Sequence, residues 1–264
     1  MSSLARLVTS CERARLAPAL ASRFVEVERD AELLGAVARL ATLRHGALKT
    51  VAQRALCHYL SDFDANAWLG MYPMHLLGTG HWRRLLGDAA RGRLLDVGAG
   101  SGDVTAELAP LFREVLAVEV SSGMARRLRR RGFAVHSADI AESGPPPGDF
   151  DVVACLNVLD RCPRPRSLLR AAVRALAPGG RLLIALALPY RPFFYVGPET
   201  PEPRETLACG GDCFEEQVTA FVESEIVPLG VDLERWARAP YLSAGDKHRE
   251  LYELDDVVLV CRKP

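Results

Sequence analysis

Four aliphatic runs of strand length, each separated from the next by a stretch with helical spacing, constrain this chain more than any other feature. They are RLLDV (residues 93–97), VLAVEV (115–120), DVVACL (151–156) and RLLIALAL (181–188). Strands that face water on one side alternate apolar and polar residues. Near-continuous aliphatic runs are expected of strands covered on both faces. With helices between them, the runs specify an α/β fold in which a parallel sheet carries helices on each side.

In detail, strands are expected at Arg93–Val97, Glu114–Glu119, Ala134–Ala138, Phe150–Leu156 and Arg181–Leu188. Helices are expected at Asp103–Phe112, Gly123–Arg131, Arg166–Leu176 and Phe214–Val227, with turns at GPPPGD and Pro178-Gly179-Gly180. Two last strands, Asp232–Ala239 and Asp255–Cys261, flank a polar loop too short for a helical crossover. They read as an antiparallel pair at the sheet edge. Before Arg91-Gly92 the pattern is helical instead. Leu33, Val37, Leu40, Leu43, Leu48, Val51, Leu56 and Leu60 recur at three- and four-residue spacing, and residues 62–80 read as irregular but packed. The division is therefore an N-terminal helical segment, 1–92, and a domain over 93–264.

Lys+Arg and Asp+Glu both number 33, so no global basic field draws the chain onto nucleic acid or an anionic membrane. No apolar run approaches the ~20 residues of a membrane span. The seven cysteines are scattered and contain no C-x-x-C, which predicts free thiols in a reducing compartment, cytoplasmic by default. The first two dozen residues share the Ser-, Arg- and Ala-rich composition of an organelle transit peptide, but read here as a helical N-terminus. None of the six histidines forms an H-x-H or H-x-x-x-H pair, so no metal site is expected.

The sharpest local signal is LLDVGAGSGDVT, a strand running into a glycine loop that opens a helix. Counted from Gly98, the third glycine of a dinucleotide fingerprint would fall at Asp103, so that register fails. S-adenosylmethionine fits better, because it carries a sulfonium and an ammonium and no pyrophosphate. Gly98 and Gly100 allow close backbone approach, and Asp96 beside them favours the cationic end. Glu119 is placed to accept both ribose hydroxyls, and Asp139 to accept from the adenine amine. Taken singly, Asp96 and Asp139 fit helix caps, and Glu119 fits a solvated acid. Taken with the loop, they favour the cofactor.

The next strand ends in CLNVLDRC. Asn157 suits an N-cap or turn, and Asp160 a salt-bridged structural acid. Methyl transfer gives both a second use. A nitrogen nucleophile must lose or share a proton, which Asp160 can take while Asn157 orients. No D/N-P-P-Y/F follows this strand, which counts against a nucleic-acid base as acceptor.

At this point the chain resembles the DREV family, the protein-histidine N-pros-methyltransferases of the methyltransferase-like 9 type. The matching stretches are LLDVGAGSGDVT, Glu119 with Ser121 and Met124, CLNVLDRC, LALPYRP, FEEQV, APYLSAGD and YELDDVVLV. The match is loose before Leu94. The resemblance implies a Rossmann-like, seven-strand class I methyltransferase sheet with an N-terminal helical extension, and S-adenosylmethionine as methyl donor. It implies a protein or peptide substrate bearing H-x-H, methylated on the imidazole nitrogen nearer the backbone. It carries over Glu119, Asn157 and Tyr241 as cofactor contacts, and Asp160 and Tyr252 as the groups that hold and deprotonate the ring. Phe193, Phe194 and Tyr195 are expected to wall the peptide groove. Methylation of another protein or of a small molecule, or a non-catalytic cofactor-binding scaffold, are the competing readings.

Overall fold

A computed structural model of the chain describes residues 7–43, 47–196, 198–245 and 249–264. Residues 1–6 of the N-terminal stretch and Asp246 of the PYLSAGD motif lie outside the described residues. The strands are β1 (Met74–His75), β2 (Arg93–Val97), β3 (Glu114–Val118), β4 (Ala134–His136), β5 (Phe150–Leu156), β6 (Leu176–Leu188), β7 (Asp232–Ala244) and β8 (Leu251–Arg262). They form one mixed sheet in the order β1-β7-β8-β6-β5-β2-β3-β4. β4, β3, β2, β5 and β6 run parallel. β8 is antiparallel to both β6 and β7.

The helices are α1 (Pro18–Ala21), α2 (Ala31–Thr42), α3 (Ala47–Leu56), α4 (Asp62–Leu69), α5 (Thr79–Leu86), α6 (Asp103–Leu108), α7 (Ser122–Arg130), α8 (Ile140–Ser143), α9 (Pro165–Ala175) and α10 (Phe214–Phe221). Alternate residues of β5 explain its unbroken aliphatic run. Val153 and Cys155 enter one apolar layer with α9 and α10, and Val152, Ala154 and Leu156 enter the other with α5 and α6. Each face needs its own apolar set, so from Val152 to Leu156 no polar position remains.

The expected strands and helices form, with shifted ends. The final antiparallel pair is present, but β8 lies inside the sheet, and the two-residue β1 covers the outer side of β7. The third strand stops at His136, two residues early, which leaves Asp139 outside it. The Pro178-Gly179-Gly180 turn falls within β6, where pairing with β5 skips from Phe150–Leu176 to Val152–Arg181. Past Phe221, the helix of α10 continues as a π turn through Ile226.

Residues 7–92 depart most from expectation. Their described start is not a helix: residues 7–12 are irregular, and α1 has four residues. The long apolar stripe breaks in two. Leu33, Val37 and Leu40 pack on Leu242 and Ala244, whereas Leu48 is 88% and Val51 65% exposed. Leu43 leaves α2 in extended backbone, so the helical repeat of this stripe ends there. Residues 62–80 contain α4, capped by Ser61 and ended by left-handed Gly70, and then β1. At the start of α2, the His81 ring sits between Asp30 Oδ2 at 3.3 Å and Glu32 Oε2 at 3.2 Å, which fastens α5 to α2.

The N-terminal segment also joins the main core. Leu16, Leu20 and Phe24 pack in the α9/α10 layer. Phe24 lies 4.7 Å from the Trp236 ring, and the buried Trp236 Nε1–H donates to the Leu20 carbonyl at 2.8 Å. Trp236→Phe keeps the ring contact and removes that bond, leaving the carbonyl the Arg23 N–H at 3.2 Å. It should cost about 0.5–1.5 kcal/mol, read as a lower denaturant midpoint at constant slope.

Candidate active site

A cavity of about 980 Å³ opens where β2, β3 and β5 end and the glycine loop begins. The loop amides of Gly98 and Ala99 donate to the Val118 carbonyl, at 2.8 and 3.2 Å, so the loop folds back over the end of β3. Gly98 has φ +73°, and a Cβ there would stand 2.4 Å from Val158 Cγ2. Gly100 has φ +57°, and a Cβ there would meet nothing within 4 Å. One glycine is required by packing, and the other leaves a bare backbone facing open space.

Glu119 organises this end. Its Oε2 accepts from the Gly100 N–H and its Oε1 from the Ser121 N–H, both at 2.8 Å. The side chain is buried rather than solvated, and burial pushes its pKa up. Each oxygen keeps a second lone pair for a hydroxyl donor. Asp96 is 2% exposed and accepts from Thr105 Oγ1 at 2.6 Å. Burial pushes it up to about 6, and the neighbouring Glu119 adds to the shift. Asp139 caps α8, taking the Ala141 N–H at 2.9 Å on Oδ1 and Arg164 at 3.4 Å on Oδ2. All three acids line the cavity.

Helix α4 roofs the same end. Asp64 accepts from the Ser121 hydroxyl, which itself caps α7 through the Met124 N–H. Arg127 of α7 donates to the Ala67 carbonyl at 3.1 Å. Gly123 lets the helices approach, since a Cβ there would lie 3.2 Å from Trp68. Ser61, Asp64 and Asn66 thus line a site that sequence reasoning placed wholly after residue 92. No local motif marks them; only the packing of α4 on α7 does.

At the other end the chain leaves β5 through Asn157, whose φ is +54°. Asparagine tolerates this conformation better than other non-glycine residues. Its Nδ2 donates to Asp256 Oδ2 at 2.6 Å, while its Oδ1 is buried without a partner. Tyr241 and Ser243 of β7 and Tyr252 and Leu254 of β8 line this end, because alternation puts each pair on one strand face. The Tyr241 hydroxyl donates to Met74 Sδ, and burial, then the charges of Asp256 and Asp160, push its pKa up. Tyr72, Phe193, Phe194 and Tyr195 complete an aromatic wall. Tyr72 is the other non-glycine residue with positive φ among the described residues, at +53°.

Asp160 is 3% exposed and does not itself line the cavity. Its Oδ2 holds Arg161 Nη1, and its Oδ1 is buried without a partner. Arg161 does line the cavity, with its guanidinium 3.9 Å from the Phe193 ring centroid. Burial pushes Asp160 up to about 6 despite the Arg161 charge. The Arg161 guanidinium thus lies between this carboxylate and the cavity wall that Phe193 forms.

S-adenosylmethionine, the group implied by the glycine loop, can be tested against these residues. The bare Gly100 backbone, the carboxylates of Asp96 and Glu119 and the unpartnered Asn157 Oδ1 present acceptors and open space to a ligand that is cationic at one end and hydroxylated in its middle. The donor set fits.

The family model described as DREV methyltransferase matches residues 9–263. A ubiquinone biosynthesis O-methyltransferase of Xanthomonas oryzae pv. oryzae is 33% identical over 107 residues, 37% of this chain and 44% of that protein. Its counterpart in Xanthomonas euvesicatoria pv. vesicatoria is 31% identical over the same shares. The chain thus spans less than half the length of these curated relatives. Among solved structures, the N-methyltransferase NodS from Bradyrhizobium japonicum with S-adenosyl-l-homocysteine is 18% identical, with TM-score 0.47, over 69% of this chain and 83% of that one. Magnesium protoporphyrin IX methyltransferase from Synechocystis is 13% identical, with TM-score 0.47, over 89% and 92%. Among the described residues no helix is long and apolar enough to cross a membrane.

Proposed function

The chain belongs to the DREV methyltransferase family, and we propose that within it this protein is a protein-histidine N-pros-methyltransferase of the methyltransferase-like 9 type, acting on H-x-H segments. As an S-adenosylmethionine-dependent methyltransferase, it takes from its cofactor an electrophilic methyl group. Asp96, Gly98, Gly100, Glu119, Asp139, Asn157 and Tyr241 are the residues that would hold that cofactor.

The observation that supports the histidine reading is a convergence. The CLNVLDRC turn, PYLSAG in β7 and YEL in β8 are far apart in sequence, yet residues from all three line one end of one cavity. An imidazole attacks through an unprotonated ring nitrogen, so its other nitrogen must carry the proton. Asp160 accepts that N–H, which selects the tautomer, and takes the proton as the ring becomes cationic. A carboxylate raised to about 6 is matched in basicity to imidazole, whose ordinary pKa is about 6.5. Arg161 must leave Asp160 as the ring enters. Tyr252 braces the ring with its hydroxyl, and its aromatic body walls the pocket.

The test is incubation with methyl-labelled S-adenosylmethionine and an H-x-H peptide, the methyl then being located by mass spectrometry. The expected product carries it on the ring nitrogen nearer the backbone. Bound cofactor without histidine methylation defeats the proposal. Turnover of a small molecule or of another side chain would move the reading toward acceptors like those in the names of the curated relatives.

A further inference from the structure

The acid pair at 255 and 256 divides between the two faces of the sheet. Asp255 takes Arg238 Nε at 2.9 Å on one face. Asp256 points the other way, in step with Leu254 and Tyr252, which line the cavity. It is fully buried, and its register partners are Ala187 and Ala239, whose methyl side chains leave room for a carboxyl and offer it no hydrogen bond. Its single recorded side-chain bond is the one to Asn157 Nδ2, and its Oδ1 is buried without a partner. A buried carboxyl so sparsely satisfied costs stability that an apolar residue of the same size would not. Its place there calls for a use other than packing.

An amide is nearly symmetric in shape, so a partner must decide which end it shows to a ligand. The Asp256 oxygen accepts, which commits Nδ2 to the protein and leaves Oδ1 without a protein partner on a residue that lines the cavity. We infer that Asp256 is a positioning residue that holds the Asn157 amide with its oxygen presented to the N–H donors of the bound S-adenosyl cofactor. The inference rests on the cofactor half of the proposed function and is independent of the methyl acceptor.

The test measures S-adenosylhomocysteine binding by calorimetry, and the melting temperature alongside. Asp256→Leu removes the acceptor and adds bulk. It should weaken binding about 10- to 100-fold, read beside any change in melting. Asp256→Asn, whose amide oxygen can still accept from Nδ2, should stay within about threefold of wild type, since the bond is kept. If Asp256→Leu does not fold, Asp256→Ala makes the same deletion without added bulk. Wild-type affinity in Asp256→Leu or Asp256→Ala, or an equal loss in Asp256→Asn, overturns the inference. A failed peptide assay with this binding pattern intact removes the histidine reading and leaves Asp256 in its role.

Discussion

Asp160→Asn should lower methyl transfer to an H-x-H peptide by about 10²- to 10⁴-fold while leaving S-adenosylhomocysteine binding unchanged, since it removes a general base and no cofactor contact. The substitution keeps the shape of the side chain and leaves an oxygen for Arg161. What it removes is the ability to take the ring proton. The same group sets a pH signature. Burial pushes Asp160 up to about 6, so the wild-type kcat/KM should fall on the acid side with a midpoint near there. Stability runs in the opposite direction. Asp160 has a higher pKa folded than unfolded, so its stabilising contribution is full below the unfolded carboxyl range and is lost as pH rises through about 6. Thermal melts at pH 5 and pH 8 should therefore show Asp160→Asn gaining on wild type at the higher pH. A variant that keeps its activity, or one that gains at the acid end, contradicts the assigned role.

Removing Glu119 should cost still more at the cofactor end. Its two oxygens hold the Gly100 and Ser121 amides and are the acceptors assigned to the ribose. Glu119→Ala strands two loop N–H groups and deletes both ligand bonds, each worth about 1.5–3 kcal/mol when charge-assisted. Affinity for S-adenosylhomocysteine should drop at least about 100-fold. Glu119→Gln should be nearly as damaging, because one end of its amide turns a donor toward a loop N–H. Titration calorimetry on both variants decides the matter. A glutamine variant that binds normally would make Glu119 a packing residue.

The two ends of the cavity differed in how far they could be read beforehand. LLDVGAGSGDVT is local: strand, loop and helix lie in one stretch, although the contact that bars a side chain at Gly98 is with Val158, in the turn after β5. Asp96, Glu119 and Asp139 could be placed because parallel strands that begin in register end together. Asp139 nonetheless serves as a helix cap as well as a cavity wall, since β4 is short. The end of the cavity beside Asn157 is different in kind. Asn157 and Asp160 lie in one turn, but Tyr241, Tyr252 and Asp256 reach them only through the β7–β8–β6 pairing. Asp255 and Asp256 look alike as letters, and only strand parity separates a surface ion pair from the partner of Asn157. Asp64 and Tyr72 carried no signal at all, because they come from helices and loops whose place over the cavity is set by tertiary packing.

The sequence by itself determined the layered α/β architecture, the cofactor loop and the acids beside it. Those follow from periodicity and from the chemistry of neighbouring residues, which the chain cannot hide. The tertiary structure alone decided that the N-terminal segment joins the core and roofs the cavity, that Arg161 covers Asp160, and that one acid of a pair turns inward. Each of these depends on register and on contacts between residues as much as two hundred and sixteen positions apart, and the burial that pushes up the pKa of Asp96, Glu119 and Asp160 exists only once such contacts have formed.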